Sequence, residues 1–412
     1  MNIWLIQTGE PLPTEDSIKR MRTGLLAEKL VERGHAVFWW TSAFDHIKKT
    51  WIFNSDREFK KNGLHFFAIK GMGYKKNISL MRFIDHRIVA WKFFRRANKM
   101  KKPDVILAST PPHDLAFYAK KFANENNIPL LIDTRDPWPD IFIEHLPLFL
   151  KKVVKFILFN DYNMVKKTMQ EAAGIISVTD NFMDWALNYA NRKKRTNDKV
   201  FSLGYKKKTK IDLTKVNPVF FELEKNLSDK FIVFFVGTFS KSYHNPMILV
   251  KVAELLTKYI DIHFVIAGEG ELQSEIKSAS KILSNITLTG WLNHDEIEFW
   301  LAKSKVGVCP TTKRVNLPTN KAYAYLSAGL PIISAFEGDL KEIIQNEKIG
   351  FYYSPGNVDE LADCILKLHN DKLLYEQMSI NAKKIFDEKF DADIIYEEYA
   401  KHIENVFISL KS

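Results

Sequence analysis

Short apolar runs alternate with helical patterns along the whole chain, and they do so in two successive series. Runs at 3–6, 37–40, 105–108, 130–132 and 175–178 make up the first; runs at 231–236, 262–267, 286–288, 306–309, 331–334 and 350–353 make up the second. Strands of this kind, separated by helices, predict parallel sheets joined by crossover connections. A chain of 412 residues is long for one core and comfortable for two. The fold class expected is therefore α/β, with two doubly wound Rossmann-like domains. The basic, polar segment 191–199, with Gly204 and the lysines at 206–208, reads as surface connection. The expected division is a first domain over 1–205, a second over 206–385, and a terminal helix over 386–412 packing back on the first. Ligands of such sheets bind outside the carboxyl ends of the strands. Two sheets facing each other would place a substrate cleft between the domains.

Within the first unit, a strand at 3–6 precedes a loop with Gly9, Pro11 and Pro13, then a helix carrying Ile18, Met21 and Leu25 at helical spacing, ended by Gly34. The first residues lack a basic flank and a signal-peptide core, and read as a strand.

Charge narrows the partners. Residues 1–200 hold 34 Lys+Arg against 21 Asp+Glu, a net of +13; the other 212 hold 26 against 28, a net of −2. Such asymmetry fits nucleic acid, an anionic membrane surface or an anionic substrate. No zinc-finger spacing or aromatic RNA-binding signature accompanies it, so nucleic acid is set aside. The 46% hydrophobic and 26% charged residues exclude a largely disordered chain, and no apolar run approaches the ~20 residues that span a bilayer. Cys309 and Cys364 have no metal or disulfide spacing, which fits a reducing cytoplasm. Two basic segments with aromatics, 82–102 and 148–167, have the composition of helices that lie on an anionic membrane; a core-facing helix with a solvated face is the alternative.

Three stretches point to a phosphate-bearing ligand. The run 231–236 leads into Gly237, Thr238, Phe239, Ser240 and Lys241, a glycine loop with a cation four residues on. The run 262–267 leads into Gly268, Glu269, Gly270 and Glu271, where glycines admit a ligand close to the backbone and the acids accept from hydroxyls. The third stretch reads Leu317, Pro318, Thr319, Asn320, Lys321, Ala322, Tyr323, Ala324, Tyr325, Leu326, Ser327, Ala328, Gly329, Leu330, Pro331. It predicts a helix whose free N–H groups and Lys321 hold a phosphate, stopped by Gly329 and Pro331.

Here the chain resembles the family 4 glycosyltransferases of the GT-B fold, especially those that assemble bacterial surface polysaccharides such as O-antigen and capsule. Their pattern is a proline, a lysine and an acidic residue before Tyr-Leu-x-x-Gly-x-Pro. Arg33, Gly34 and His35, then Arg135, Asp136, Pro137, Trp138 and Pro139, then Gly338 and Glu342, match the same family. The resemblance implies retaining, metal-independent transfer from a nucleotide sugar, without a further cofactor. The donor site it implies comprises Gly237, Thr238, Lys241, Gly268, Glu269, Leu292, Asn320, Lys321 and Glu337, and the acceptor site Glu10, His113 and Arg135. The partners expected are a nucleotide sugar, UDP-linked among the candidates; a glycan or polyprenyl-linked acceptor; and an anionic membrane surface at the inner face of the cytoplasmic membrane.

The family commonly carries two glutamates separated by seven intervening residues, for which this chain has Asn316 and Ala324. Alanine accepts no hydrogen bond from a ribose hydroxyl. Three explanations stay open: Glu269 or Glu337 substitutes, the donor nucleotide is unusual, or the protein is a non-catalytic partner in a glycan-assembly complex.

Asp136 follows the run 130–132 and so falls at a carboxyl end of the first sheet, where a carboxylate would take the proton of an attacking hydroxyl or stabilise a cationic sugar. Arg135 is its nearest expected ion-pair partner. The pair Asp391 and Asp393 resembles a metal-binding D-x-D, but before a terminal helix it predicts a cap.

Overall fold

The computed structural model describes residues 1–14, 20–77, 79–144, 146–241, 243–316 and 319–411. Ile18, Leu317 and Pro318, used above, lie outside them. The chain divides into two compact units. The first comprises Met1–Ser202 with Ile395–Ser412, and the second Leu203–Ile394.

The first unit holds strands β1 (Asn2–Ile6), β2 (Ala36–Ser42), β3 (Phe44–Asp45), β4 (Thr50–Trp51), β5 (Arg57–Lys61), β6 (Leu64–Ile69), β7 (Val105–Thr110), β8 (Leu130–Thr134), β9 (Gly174–Ser177) and β10 (Lys199–Val200). Its main sheet runs β10-β9-β8-β7-β1-β2-β6-β5, parallel except for the β5–β6 hairpin. That hairpin turns on Asn62 and Gly63, both with positive φ, the dipeptide favoured in tight two-residue turns. Helices α1 (Arg22–Glu32), α2 (Leu80–Ala97), α3 (His113–Glu125), α4 (Leu148–Ile157), α5 (Phe159–Glu171) and α6 (Asp180–Ala190) connect the strands. The helix expected around Ile18 and Met21 starts instead at Arg22, with Met21 as its N-cap.

The second unit holds β11 (Phe231–Val236), β12 (Ile262–Ala267), β13 (Ile286–Gly290), β14 (Val306–Cys309), β15 (Ile332–Ser334) and β16 (Gly350–Tyr352), with α7 (Pro218–Leu227), α8 (Met247–Leu255), α9 (Gln273–Ser280), α10 (His294–Lys303), α11 (Asn320–Ser327), α12 (Asp339–Asn346), α13 (Val358–Asn370) and α14 (Lys372–Ile385). Its sheet is β13-β12-β11-β14-β15-β16, and every pairing is parallel. Buried apolar clusters cover both faces of the sheet, which is why its strands read as apolar runs.

The last helix, α15 (Ala392–Ser409), begins in the second unit and ends in the first. Asp391 caps it by accepting from the Asp393 N–H at 2.8 Å, the role expected of that pair. Tyr399 then stacks on Phe201 at 4.5 Å, and Glu404 accepts from Arg33 and contacts His35. Arg33 and His35 thus fasten the end of α1 to α15.

Among the described residues no helix is long and apolar enough to cross a membrane. The two segments read above as membrane-lying differ. In α2 the apolar side, Val89, Ala90, Phe93 and Ala97, lies in the core, as the core-facing alternative required. The segment 148–167 is broken at Leu158 into α4 and α5, and no residue of α4 is buried.

Candidate functional site

In both sheets the strand order reverses beside the first strand, between β1 and β7 and between β11 and β14. Loops leaving such a switch point diverge and open a crevice. In the second unit the loops after β11 and β12 meet there. The Gly237 N–H donates to the Ala267 carbonyl at 3.0 Å, the Phe239 N–H to Glu269 at 2.9 Å, and the Gly268 N–H to Gly290 at 2.8 Å. A Cβ on Gly268, at φ +131°, would fall 1.8 Å from the Gly237 carbonyl oxygen. Only glycine permits that approach.

Lys321 crosses this loop: a Cβ on Gly237 would lie 2.9 Å from its Cε. Helix α11 is held for the purpose by Tyr325, which is fully buried. Its hydroxyl accepts from the Val236 N–H at 3.2 Å and donates to the Val308 carbonyl at 3.2 Å, tying β11 to β14. Its ring occupies the place a side chain at Gly307 would take, within 2.1 Å of a Cβ there. His244, unread in the sequence, is fully buried with Nε2 3.2 Å from Thr319 Oγ1 at the start of α11. Burial and the charge of Lys321 hold its imidazole well below the ordinary pKa, hence neutral.

Of the expected donor residues, Gly237, Gly268 and Lys321 thus come together, with the side chains of Thr238, Glu269 and Asn320 exposed. Lys241 does not join them: its ammonium pairs with Glu275 at 3.1 Å, because its chain turns toward α9. Leu292 is 4% exposed within the apolar core, so its side chain offers no ligand contact. Glu337 accepts from Tyr352 at 2.6 Å and from Lys341 at 3.1 Å, and these bonds hold its carboxyl below the usual range. Ala324 is buried in the core and Asn316 is exposed.

In the first unit Asp136 stands just past β8, half-buried. Among the described residues nothing hydrogen-bonds its carboxylate. Burial pushes the carboxyl up to about 6, against the opposing pull of Arg135 and Arg82. Arg82 lies over the Trp138 ring at 4.5 Å and the Tyr74 ring at 5.6 Å. A small cavity lined by Gly9, His46, Tyr74, Asp85, His86 and Pro112, among others, adjoins the β1–β7 switch point.

The expected acceptor residues serve the fold instead. Glu10 accepts from the Thr23 and Gly24 N–H groups, capping α1 with a carboxylate. Arg135 pairs with Glu10 and, at 2.8 Å, with Asp133, rather than bonding Asp136. Asp133, fully buried, also binds Arg22 at 2.9 Å; burial raises its carboxyl, but the two guanidinium groups outweigh that and hold it below the usual range. His113 is 1% exposed because it opens α3 facing α5, where Nε2 meets Asp161 at 2.8 Å. His113, Asp114 and Asp161 form a buried group of metal-ligating type, into which Arg87 reaches at 3.3 Å from both carboxylates.

Two Rossmann-like units, with a glycine-and-lysine cluster at the switch point of the second, define an α/β protein of GT-B architecture. Residues 230–371 match the family model described as Glycosyl transferases group 1. The chain is 24% identical to the capsular polysaccharide biosynthesis glycosyltransferase CapM of Staphylococcus aureus, over 61% of this chain and 66% of that one. It is 23% identical to the alpha-D-kanosaminyltransferase of Streptomyces kanamyceticus, over 42% and 45%. The matches therefore span about half to two thirds of those relatives' lengths. Anabaena Alr3699/HepE, solved in complex with UDP, has the same fold at TM-score 0.67 and 16% identity, over 98% of this chain and all of that one. Sucrose-phosphate synthase from Thermosynechococcus elongatus superposes at TM-score 0.70 and 14% identity, over 99% of each.

Proposed function

We propose that this protein transfers a sugar from a nucleotide-sugar donor to a glycan or lipid-linked glycan acceptor in bacterial surface polysaccharide biosynthesis. The observation that carries the reading is Lys321 lying across Gly237 at the switch point of the second sheet. The diphosphate of a departing nucleotide there meets an ammonium group and the N–H dipoles opening α11. UDP is the nucleotide to try first, since the HepE structures of the same fold hold UDP and UDP-glucose. With Lys321 opposing the developing charge, the reading requires no divalent cation, and the transfer is retaining. Asp136, with a carboxyl near 6, is half ionised near that pH and suits proton transfer from an acceptor hydroxyl, or stabilisation of a cationic sugar.

The test is thermal stabilisation of the full chain by UDP, GDP, CMP and dTDP and their sugars; a ligand at 100 times its Kd adds ~2.7 kcal/mol. A shift for one nucleotide supports the donor site, and silence across a saturating panel removes it. Ala324, in place of the acidic residue of the family pattern, favours a second reading: a glycosyltransferase-like partner that binds donor without turnover. Stabilisation by a sugar nucleotide with no transfer to any acceptor would select it.

A further inference from the structure

In α4, Phe149, Val153, Phe156 and Ile157 recur at spacings of four, three and one, which sets them on one helix face. An amphipathic surface helix ordinarily turns such a stripe to the core. Here it faces outward: the four side chains are 68%, 53%, 83% and 69% exposed. Leu148 and Phe159 extend the patch at its ends, 78% and 61% exposed. Lys152 and Lys155, both exposed, fall along one edge of the stripe at ~100° per residue.

We propose that this face of α4 docks on an anionic phospholipid bilayer, with the phenylalanines and aliphatic side chains entering the headgroup–acyl boundary and the lysines remaining among the headgroups. Charge complementarity selects this occupant, because the first 200 residues carry 34 Lys+Arg against 21 Asp+Glu. A second copy of the chain fits worse, since an antiparallel two-fold contact through α4 brings the lysine edges of like charge side by side. Helix α2 takes no part through its apolar side, which is in the core. The proposal deepens the reading above by making the acceptor's source a membrane, and rests on it only there; vesicle binding needs neither donor nor turnover.

The experiment is flotation of the full chain with vesicles of mixed phosphatidylglycerol and phosphatidylcholine, against phosphatidylcholine alone. The protein is expected to rise with the first and stay down with the second. F149S/F156S, with both sites exposed, is expected to melt as wild type and bind about tenfold or more weakly, and K152E/K155E to lose the preference for anionic vesicles. In F156W, the tryptophan emission is expected to shift blue on adding anionic vesicles. A wild-type protein that never rises overturns the proposal, as does a double variant that floats equally well, or an F149S/F156S-sensitive dimer that vesicles do not dissociate. Transfer to a soluble acceptor is read separately, so its failure sinks the enzymatic reading while leaving flotation to decide this one.

Discussion

Lys321 and Gly237, far apart in sequence, are so close that a methyl group on the glycine would lie 2.9 Å from the lysine Cε. That atom is the mobile part of a long side chain, so Gly237→Ala shifts the ammonium most, while the buried Phe235 ring, 3.1 Å from the same point, gives by a few tenths of an ångström. The expected outcome is a melting temperature near wild type with nucleotide affinity lower by roughly tenfold, about 1.4 kcal/mol. Isothermal titration with UDP checks it, and unchanged affinity would show that Lys321 does not meet the ligand.

Gly268 should behave differently. Its would-be Cβ meets a backbone carbonyl at 1.8 Å, and its φ is +131°. Gly268→Ala must part the two loops, and is expected to cost about 2–4 kcal/mol of stability as well as nucleotide binding. Urea denaturation measures the first quantity.

Asp136→Asn is expected to abolish transfer and stabilise the protein. Its folded carboxyl titrates near 6 because burial disfavours the charge, against an unfolded value of about 3.9. The native state therefore holds the proton more tightly. The associated stability is full below the unfolded value and lost as pH rises through about 6. Wild type should fall behind the asparagine variant above that pH, the two converging near pH 4. Melting curves across pH 4–8 test this, and a variant no more stable at pH 8 than wild type would contradict it.

The Arg22–Asp133 pair, both members nearly inaccessible, predicts that Arg22→Met destabilises the protein, by less than the ~3–5 kcal/mol of a fully stranded buried charge because Arg135 stays on Asp133. Asp133 has a lowered carboxyl, set by the two arginines against the cost of burial. Its contribution is present above the unfolded carboxylate pKa and disappears as pH falls through the lower folded value. Chemical denaturation of the variant at pH 7 provides the check.

The parallel strands were legible because strands covered on both faces leave uninterrupted apolar runs. The edge strand β5, Arg-Glu-Phe-Lys-Lys, has one polar face and no such run; Asn62 and Gly63 were the signal that could have revealed it. Glycines at strand ends were readable as close approaches, but the identity of the cation was not. Lys241 is near Gly237 in sequence yet turns to Glu275, whereas Lys321 arrives through the anchoring of Tyr325 between two strands. His113 and Glu10 have residue types suited to acceptor chemistry, and only their tertiary partners, Asp161 and the start of α1, reveal them as structural. His244 has no local pattern at all, since its surroundings come from Tyr243 and the distant Phe336 and Thr319.

Helix α15 has a consequence for anyone recombining this architecture. Tyr399 and Glu404 complete a core and an ion-pair network whose members Phe201, Arg33 and His35 come from the first 202 residues. The modular boundary is thus a pair of cuts, near 202 and near 394. A chimera that exchanges only the leading segment inherits a foreign closing helix, so grafts that carry 395–412 along with 1–202 should be the ones that express as soluble, folded protein.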